Sequence, residues 1–202
     1  MKNRQIISTI AVLLLVPFML SAQENYRISS NNSSIVIKGT SSLHDWEMDA
    51  SNLAGSISIA LNEGAVSQIS DGTVKLKSKD IKSHNSIMDG KAWDALKSDD
   101  YPEIVFHLTH VDLKPEAGGK FSGRVYGKLQ LAGITRDINT TFTGESPAKD
   151  RLKINGTFKL DMLNYKIDPP TAMMGALKTG NQVELTFDLD FQQNTSITYL
   201  NH

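Results

Sequence analysis

From residue 26 onward the chain is dominated by a two-residue alternation of apolar and polar positions. Ile35, Ile37 and Gly39 take one phase against Val36 and Lys38, and Ile57, Ile59 and Leu61 do so against Ser56, Ser58 and Ala60. Val74 and Leu76 sit between Thr73, Lys75 and Lys77, and Ile104, Phe106 and Leu108 alternate with Val105, His107 and Thr109. Phe121, Val125, Leu129 and Leu131 share a phase with Gly123 and Gly127. Ile138 joins Phe142 through Thr140, and Leu152, Ile154, Phe158 and Leu160 form a further set. Val183, Leu185, Phe187, Leu189 and Phe191 form the last. Successive side chains on a strand point to opposite faces, so each segment predicts a strand with one dry and one wet face. About eight such strands joined by Gly, Asn, Asp and Pro turns predict an antiparallel sandwich or barrel.

Two segments break the alternation. In Ser86–Lys97 the residues Met88, Ala92, Ala95 and Leu96 recur at helical spacing. Ser86, with Asp89 three residues on, is the expected cap, and Tyr101-Pro102 the stop. In Asp168–Leu177 the tandem prolines Pro169-Pro170 cannot continue a ladder, so a loop is expected there.

The N-terminus follows a different rule. Lys2 and Arg4 precede an almost wholly apolar run, Ile6–Leu20, followed by the small residues Ser21 and Ala22. That order predicts a secretory signal peptide over residues 1–22, cut near Ala22, and hence a periplasmic or secreted protein. The run is shorter than the ~20 residues that span a bilayer. The expected organisation is a signal peptide over 1–22, one domain over 23–192 and a tail over 193–202. Loss of Lys2 and Arg4 takes the 21 basic residues to 19 against 22 acids, a net of −3. A chain of that balance lacks the positive excess expected of a nucleic-acid binder. There is no cysteine, which rules out disulfides, a thiolate nucleophile and Cys-ligated zinc.

Candidate chemistry is sparse. His107 and His110, three apart on an expected strand, should face opposite sides, so no metal site is expected. Ser41, Ser42, His44 and Asp45 are the most enzyme-like cluster. Neighbours on a strand point apart, however, and the run cannot itself form a triad. It reads instead as a strand or rim segment with Trp46 half-buried. No G-x-S-x-G, phosphate loop or G-x-G-x-x-G occurs. No catalytic residue, enzymatic activity or cofactor is expected.

Four stretches in order resemble the YceI-like family of secreted bacterial lipid-binding proteins. They are Gly39-Thr40-Ser41-Ser42-Leu43-His44-Asp45-Trp46, and Leu96 to Phe106 with its Tyr101-Pro102-Glu103-Ile104-Val105-Phe106 core. The third is Gly127-Lys128-Leu129-Gln130-Leu131-Ala132-Gly133-Ile134-Thr135-Arg136, and the fourth Pro169-Pro170-Thr171-Ala172-Met173-Met174-Gly175. The resemblance spans about residues 26–192. It implies an all-β fold, a lipocalin-like antiparallel β-barrel of about eight strands with one short helix inserted. The lumen would hold a polyisoprenoid or similar long-chain amphiphile as the bound ligand. It leaves room for transient membrane contact and for a homodimer.

Strand phase then supplies the expected lumen: Phe106, Leu108, Val125, Leu129, Phe142, Phe158 and Phe187. Trp93 on the helix and Met173 and Met174 in the Pro loop are expected at the mouth, where flexible Met side chains adapt to irregular apolar shapes. Two other readings stay open. One is a non-enzymatic structural or interaction barrel filled by its own side chains. The other is a hydrolase using His44.

Overall fold

The computed structural model describes residues 23–172 and 175–194. The signal-peptide expectation, Met173 and Met174 and most of the expected tail lie outside these residues. The alternating segments form β1 (Gln23–Ile28), β2 (Ser34–Ser41), β3 (Trp46–Ala50), β4 (Ala54–Asn62), β5 (Ala65–Lys77) and β6 (Ile81–Lys82). After the helix α1 (Ser86–Ala95) come β7 (Glu103–Pro115), β8 (Lys120–Leu131), β9 (Ile134–Ala148) and β10 (Arg151–Asp161). The short β11 (Thr171–Ala172) and the long β12 (Leu177–Gln193) complete the chain.

The pairing order β1-β4-β5-β7-β8-β9-β10-β12 returns to its start through Tyr26↔Gln193, Arg27↔Gln192 and Ile28↔Phe191. The result is a closed ring of eight antiparallel strands, the all-β class with one helix that the sequence predicts. Closure leaves this ring no free edge.

The ring has two storeys. β1 and β2 follow the same edge of β12, β1 against residues 191–193 and β2 against residues 179–188. Between them the chain makes a 3-10 turn at Ser30–Asn32. This turn is fastened to β12: Ser29 N–H donates to the Asp190 carbonyl at 2.8 Å, and Asp190 N–H donates to Ser33 Oγ at 2.9 Å. The Asp190 carboxylate is buried. It accepts from Arg151 Nε at 2.8 and 3.0 Å and also from Nη2, so the buried charge is paired rather than stranded. Below the turn β1 is flanked by β4. Above it β2 is flanked by β3 and then by the two-residue β6, after which the chain enters α1. The helix lays Met88, Ala92 and Leu96 against the core.

The lower storey ends in a packed floor. Tyr26, Ile59, Phe121, Leu152 and Phe191 come from five strands and are almost wholly buried. Phe121 meets Phe142 edge-on at 6.2 Å between ring centres and lies over Gly144, where an added Cβ would stand 2.3 Å from the ring. The Tyr26 hydroxyl donates to the Lys149 carbonyl at 2.8 Å. Burial, and then the Glu24 carboxylate beside it, push its pKa up to about 12.

Four local expectations need correction. The cap of α1 is Asn85, whose side chain accepts from Ile87 and Met88 N–H. Asp89 instead accepts from the Ser83 N–H and Oγ. The register of β7 against β8 slips between Leu108 and His110. Such a bulge inserts one unpaired residue and reverses the phase. Ile104, Phe106 and Leu108 therefore face inward before it and Val111 after it. His107 and His110 consequently share the outer face, where His110 Nε2 lies 2.8 Å from Asp112 Oδ1. The Pro loop holds a short strand, with Thr171↔Lys178 and Ala172↔Leu177. Finally, β12 runs through Gln193, one residue into the expected tail, and Asn194 N–H donates to the Asn25 carbonyl at 2.8 Å.

Candidate ligand cavity

Above the packed floor the ring is hollow. An upper cavity of about 380 Å³ lies under the helix, and a deeper one of about 200 Å³ lies beneath it. Ile35, Leu76, Ile104, Leu129 and Leu185 line both, so the two spaces adjoin at an apolar waist.

The polar groups are sorted by depth. Those of the upper cavity are Ser41, His44, Asn85, Lys91, Thr171, Lys178 and Thr179, all from the end of β2, the turn after it, α1, β11 or the start of β12. These segments form the mouth. In the deeper cavity only Thr73, Asn139 and Thr140 carry polar side chains. Thr73 Oγ1 lies 3.3 Å from His107 Nδ1, Asn139 Oδ1 accepts from Arg124, and Thr140 Oγ1 donates to the Thr157 carbonyl. No Asp or Glu lines either space among the described residues. The hollow is built for an apolar chain with its polar end at the mouth.

Three aromatic rings of the lumen wall lie close against glycines. A Cβ on Gly127 would stand 2.3 Å from the Phe106 ring, one on Gly156 2.6 Å from Phe187, and one on Gly39 2.2 Å from Trp46. The room beside each of these glycines is taken by a neighbouring ring.

Phe106, Leu108, Val125, Phe142, Phe158 and Phe187 line the deeper cavity, and Leu129 lines the waist. Trp93 does not line either space. Its indole N–H donates to the Ile81 carbonyl at 2.9 Å, while Met88, Lys91, Ala92, Ala95 and Leu96 present the helix to the cavity. Met173 and Met174 lie outside the described residues. Residues that strand phase made available but the expected site omits include Ile37, Leu160, Val183 and Leu185. Trp46 lines the upper cavity with its N–H donating to the Thr40 carbonyl at 3.1 Å. Its signal is the facing Gly39, its register partner.

The cluster around His44 forms a turn. Ser41 Oγ accepts from the Leu43 and His44 N–H groups and donates to the His44 carbonyl at 2.7 Å. His44 Nδ1 lies 2.6 Å from the Asp45 carbonyl oxygen. Ser41 and His44 are thus each tied to backbone, and no Ser–His–Asp side-chain relay forms among the described residues.

The fold is shared with solved structures of low sequence identity. A polyisoprenoid-binding domain from Saccharophagus degradans, implicated in plant cell wall breakdown, is 13% identical with a TM-score of 0.67 over 83% of this chain and 98% of that one. BcnA of Burkholderia cenocepacia is 13% identical with a TM-score of 0.62, covering 81% of this chain and 98% of its own. The Campylobacter jejuni YCEI protein is 15% identical with a TM-score of 0.53, covering 71% and 82%. At such identity the likeness speaks for the fold. No curated protein matches the sequence significantly. The model of the YceI-like domain matches residues 26–191, nearly all of the ring, and this chain belongs to the YceI-like family.

Proposed function

We propose that the protein is an extracytoplasmic carrier that holds a polyisoprenoid or a similar long-chain amphiphile in the lumen of its ring. The observation that carries this reading is the pair of adjoining apolar hollows of about 380 and 200 Å³ inside a closed ring. Protein cores are otherwise close-packed, with few voids larger than a water molecule. Apolar space of this size makes little sense for a structural barrel meant to fill itself, and much for one that takes a guest. The relative from Saccharophagus degradans, named for polyisoprenoid binding, supports the same ligand class.

Energetics favour a carrier over a sink. Burying a CH₂ from water is worth ~0.8 kcal/mol. A long prenyl chain would then exceed the ~20 kcal/mol at which real affinities saturate. The cargo's usual reference is a membrane, however, and transfer from lipid to an apolar lumen is nearly neutral. Loading and release both stay accessible, and both call for transient membrane contact. The reading assigns no catalytic step and no cofactor beyond the bound lipid. Export follows from the charged, apolar and small-residue order of residues 1–22.

Organic extraction of protein purified from its own envelope, followed by mass spectrometry, tests the reading. A prenyl or fatty chain in near-stoichiometric amount is expected, on a protein whose N-terminus lies near Gln23. Absence of any amphiphile, with no uptake of an apolar probe by the extracted protein, would overturn the carrier reading. An intact Met1 on extracytoplasmic protein would overturn the processing.

A further inference from the structure

Large apolar side chains standing in water are few on this surface. Among the described residues they are Leu43, Ile87, Tyr101 and Leu163. Tyr101 lies across Gly133, and Leu163 sits in the turn that follows β10. Leu43 and Ile87 are the most exposed, at 66% and 73%, and both line the upper cavity. They come from separate elements, the turn between β2 and β3 and the first turn of α1. The mouth therefore carries two apolar lips.

Of the charged side chains, Lys91 and Lys178 line the opening and no acid does among the described residues. The exposed Asp45 and Asp168 lie close to the mouth in sequence but outside its lining, and the chain as a whole has a net charge of −1. Lys91 also ties α1 to β11, with Nζ donating to the Thr171 carbonyl at 2.8 Å. Exposed apolar side chains beside two lysines on an otherwise mildly acidic molecule are the chemistry of an interfacial anchor. The apolar groups enter the boundary of the acyl region, and the ammonium groups stay at headgroup level.

We propose that the mouth is a docking surface for a bilayer containing anionic lipid, with Leu43 and Ile87 as the inserted lips and Lys91 and Lys178 as the headgroup contacts. The proposal rests on the carrier reading and deepens it. A water-insoluble chain can pass between membrane and lumen without crossing water only if the mouth opens into the lipid.

Flotation of the delipidated wild type with vesicles tests the proposal. One set is phosphatidylcholine alone, and the other contains about one third phosphatidylglycerol. Binding to the anionic set is expected, with loss as salt rises from ~0.1 to ~1 M. The double variant Leu43→Ser with Ile87→Ser should lower partitioning roughly tenfold or more. Lys178→Gln alone, which leaves the Lys91 contact to β11 intact, should lower it several-fold on anionic vesicles only. Lys114→Gln, exposed near the far end of β7 from the mouth, should match the wild type. Thermal unfolding of each variant separates lost docking from lost fold. Absence of wild-type binding, or equal binding by the lip and Lys114 variants, overturns the proposal. So does self-association through the lips without vesicle binding, which would assign them to a second copy. Lipid extraction from the wild type is read independently: cargo without vesicle binding removes the docking surface alone, and vesicle binding without cargo removes the carrier reading.

Discussion

Along β10 and β12 the same inward phase runs through two different environments. Leu152 and Phe191 are buried in the floor, whereas Phe158, Leu185 and Phe187, farther along the same strands and facing the same way, are only half-buried. The difference lies in what stands opposite. At the floor, Tyr26, Ile59 and Phe121 fill the ring from other strands. Higher up, Phe106 and Phe187 are pressed onto Gly127 and Gly156, and the centre stays open. Pointing inward and being packed are therefore separate properties. The floor supplies the cohesion that close packing gives, and the hollow is free to serve a guest.

The sharpest way to break this contrast is to truncate one aromatic in each region. Phe121→Ala, in the floor, should cost ~3–5 kcal/mol in urea unfolding of the delipidated protein, since the hole it leaves is fully enclosed. Phe187→Ala, on the hollow wall, should cost only about 1–2 kcal/mol, because much of its surface is already free of packing. Equal losses would mean that the upper storey is packed and the hollow is not real.

A smaller effect sharpens the role of the glycines. In Gly127→Ala the new Cβ would stand 2.3 Å from the Phe106 ring and 2.5 Å from the His107 carbonyl, so the ring must leave the wall. A loss of ~1–3 kcal/mol is expected, together with less lipid recovered per mole of protein as the ring swings into the lumen. Gly90→Ala, in the helix with open space around the added Cβ, serves as the control. It should gain up to ~1 kcal/mol and leave lipid recovery unchanged. Full lipid recovery by Gly127→Ala would show that the ring against Gly127 does not keep the lumen open.

Much of this arrangement is legible in the sequence because period-two alternation is a local signal. Phe106, Leu108, Val125, Leu129, Phe142, Phe158 and Phe187 could be placed on one phase from their neighbours alone, and they face the hollow. What escapes is whatever depends on a partner strand. The bulge after Leu108 leaves no trace in side-chain type, so His110 was expected on the wrong face. Trp46 becomes a wall residue only because Gly39 lies across from it. Trp93 misleads because α1 has apolar residues on more than one side, and only packing decides that Met88, Ala92 and Ala95 face the cavity. The cap went to Asn85 rather than Ser86, a shift of one residue between two good capping types. The two-storey ring depends on β12 serving β1 and β2 in turn, a long-range pairing with no local signature.

The smallest expected effects concern two buried tyrosines, one in each region. Tyr26 in the floor donates its hydroxyl to the Lys149 carbonyl, whereas the buried hydroxyl of Tyr165, in the cluster around Leu131 and Val183, has no partner among the described residues. Removing a made bond should cost ~1 kcal/mol in Tyr26→Phe, while Tyr165→Phe sheds an unpaired polar atom and should be neutral or up to ~1 kcal/mol more stable. The alkaline limb separates them further. The pKa of Tyr26 is pushed up to about 12, first by burial and then by Glu24, against about 10 for a tyrosine in the unfolded chain. The native state thus keeps a proton that the unfolded state gives up. This contribution is fully present below pH ~10 and is lost as the pH rises through ~12. Burial also raises the pKa of Tyr165, with Arg136 pulling the other way, so its contribution has the same sign. Urea midpoints measured from pH 8 to 12 should fall less steeply in Tyr26→Phe than in the wild type. A Tyr165→Phe variant destabilised as much as Tyr26→Phe would mean that its hydroxyl is satisfied after all, and that the upper cluster is as fully paired as the floor.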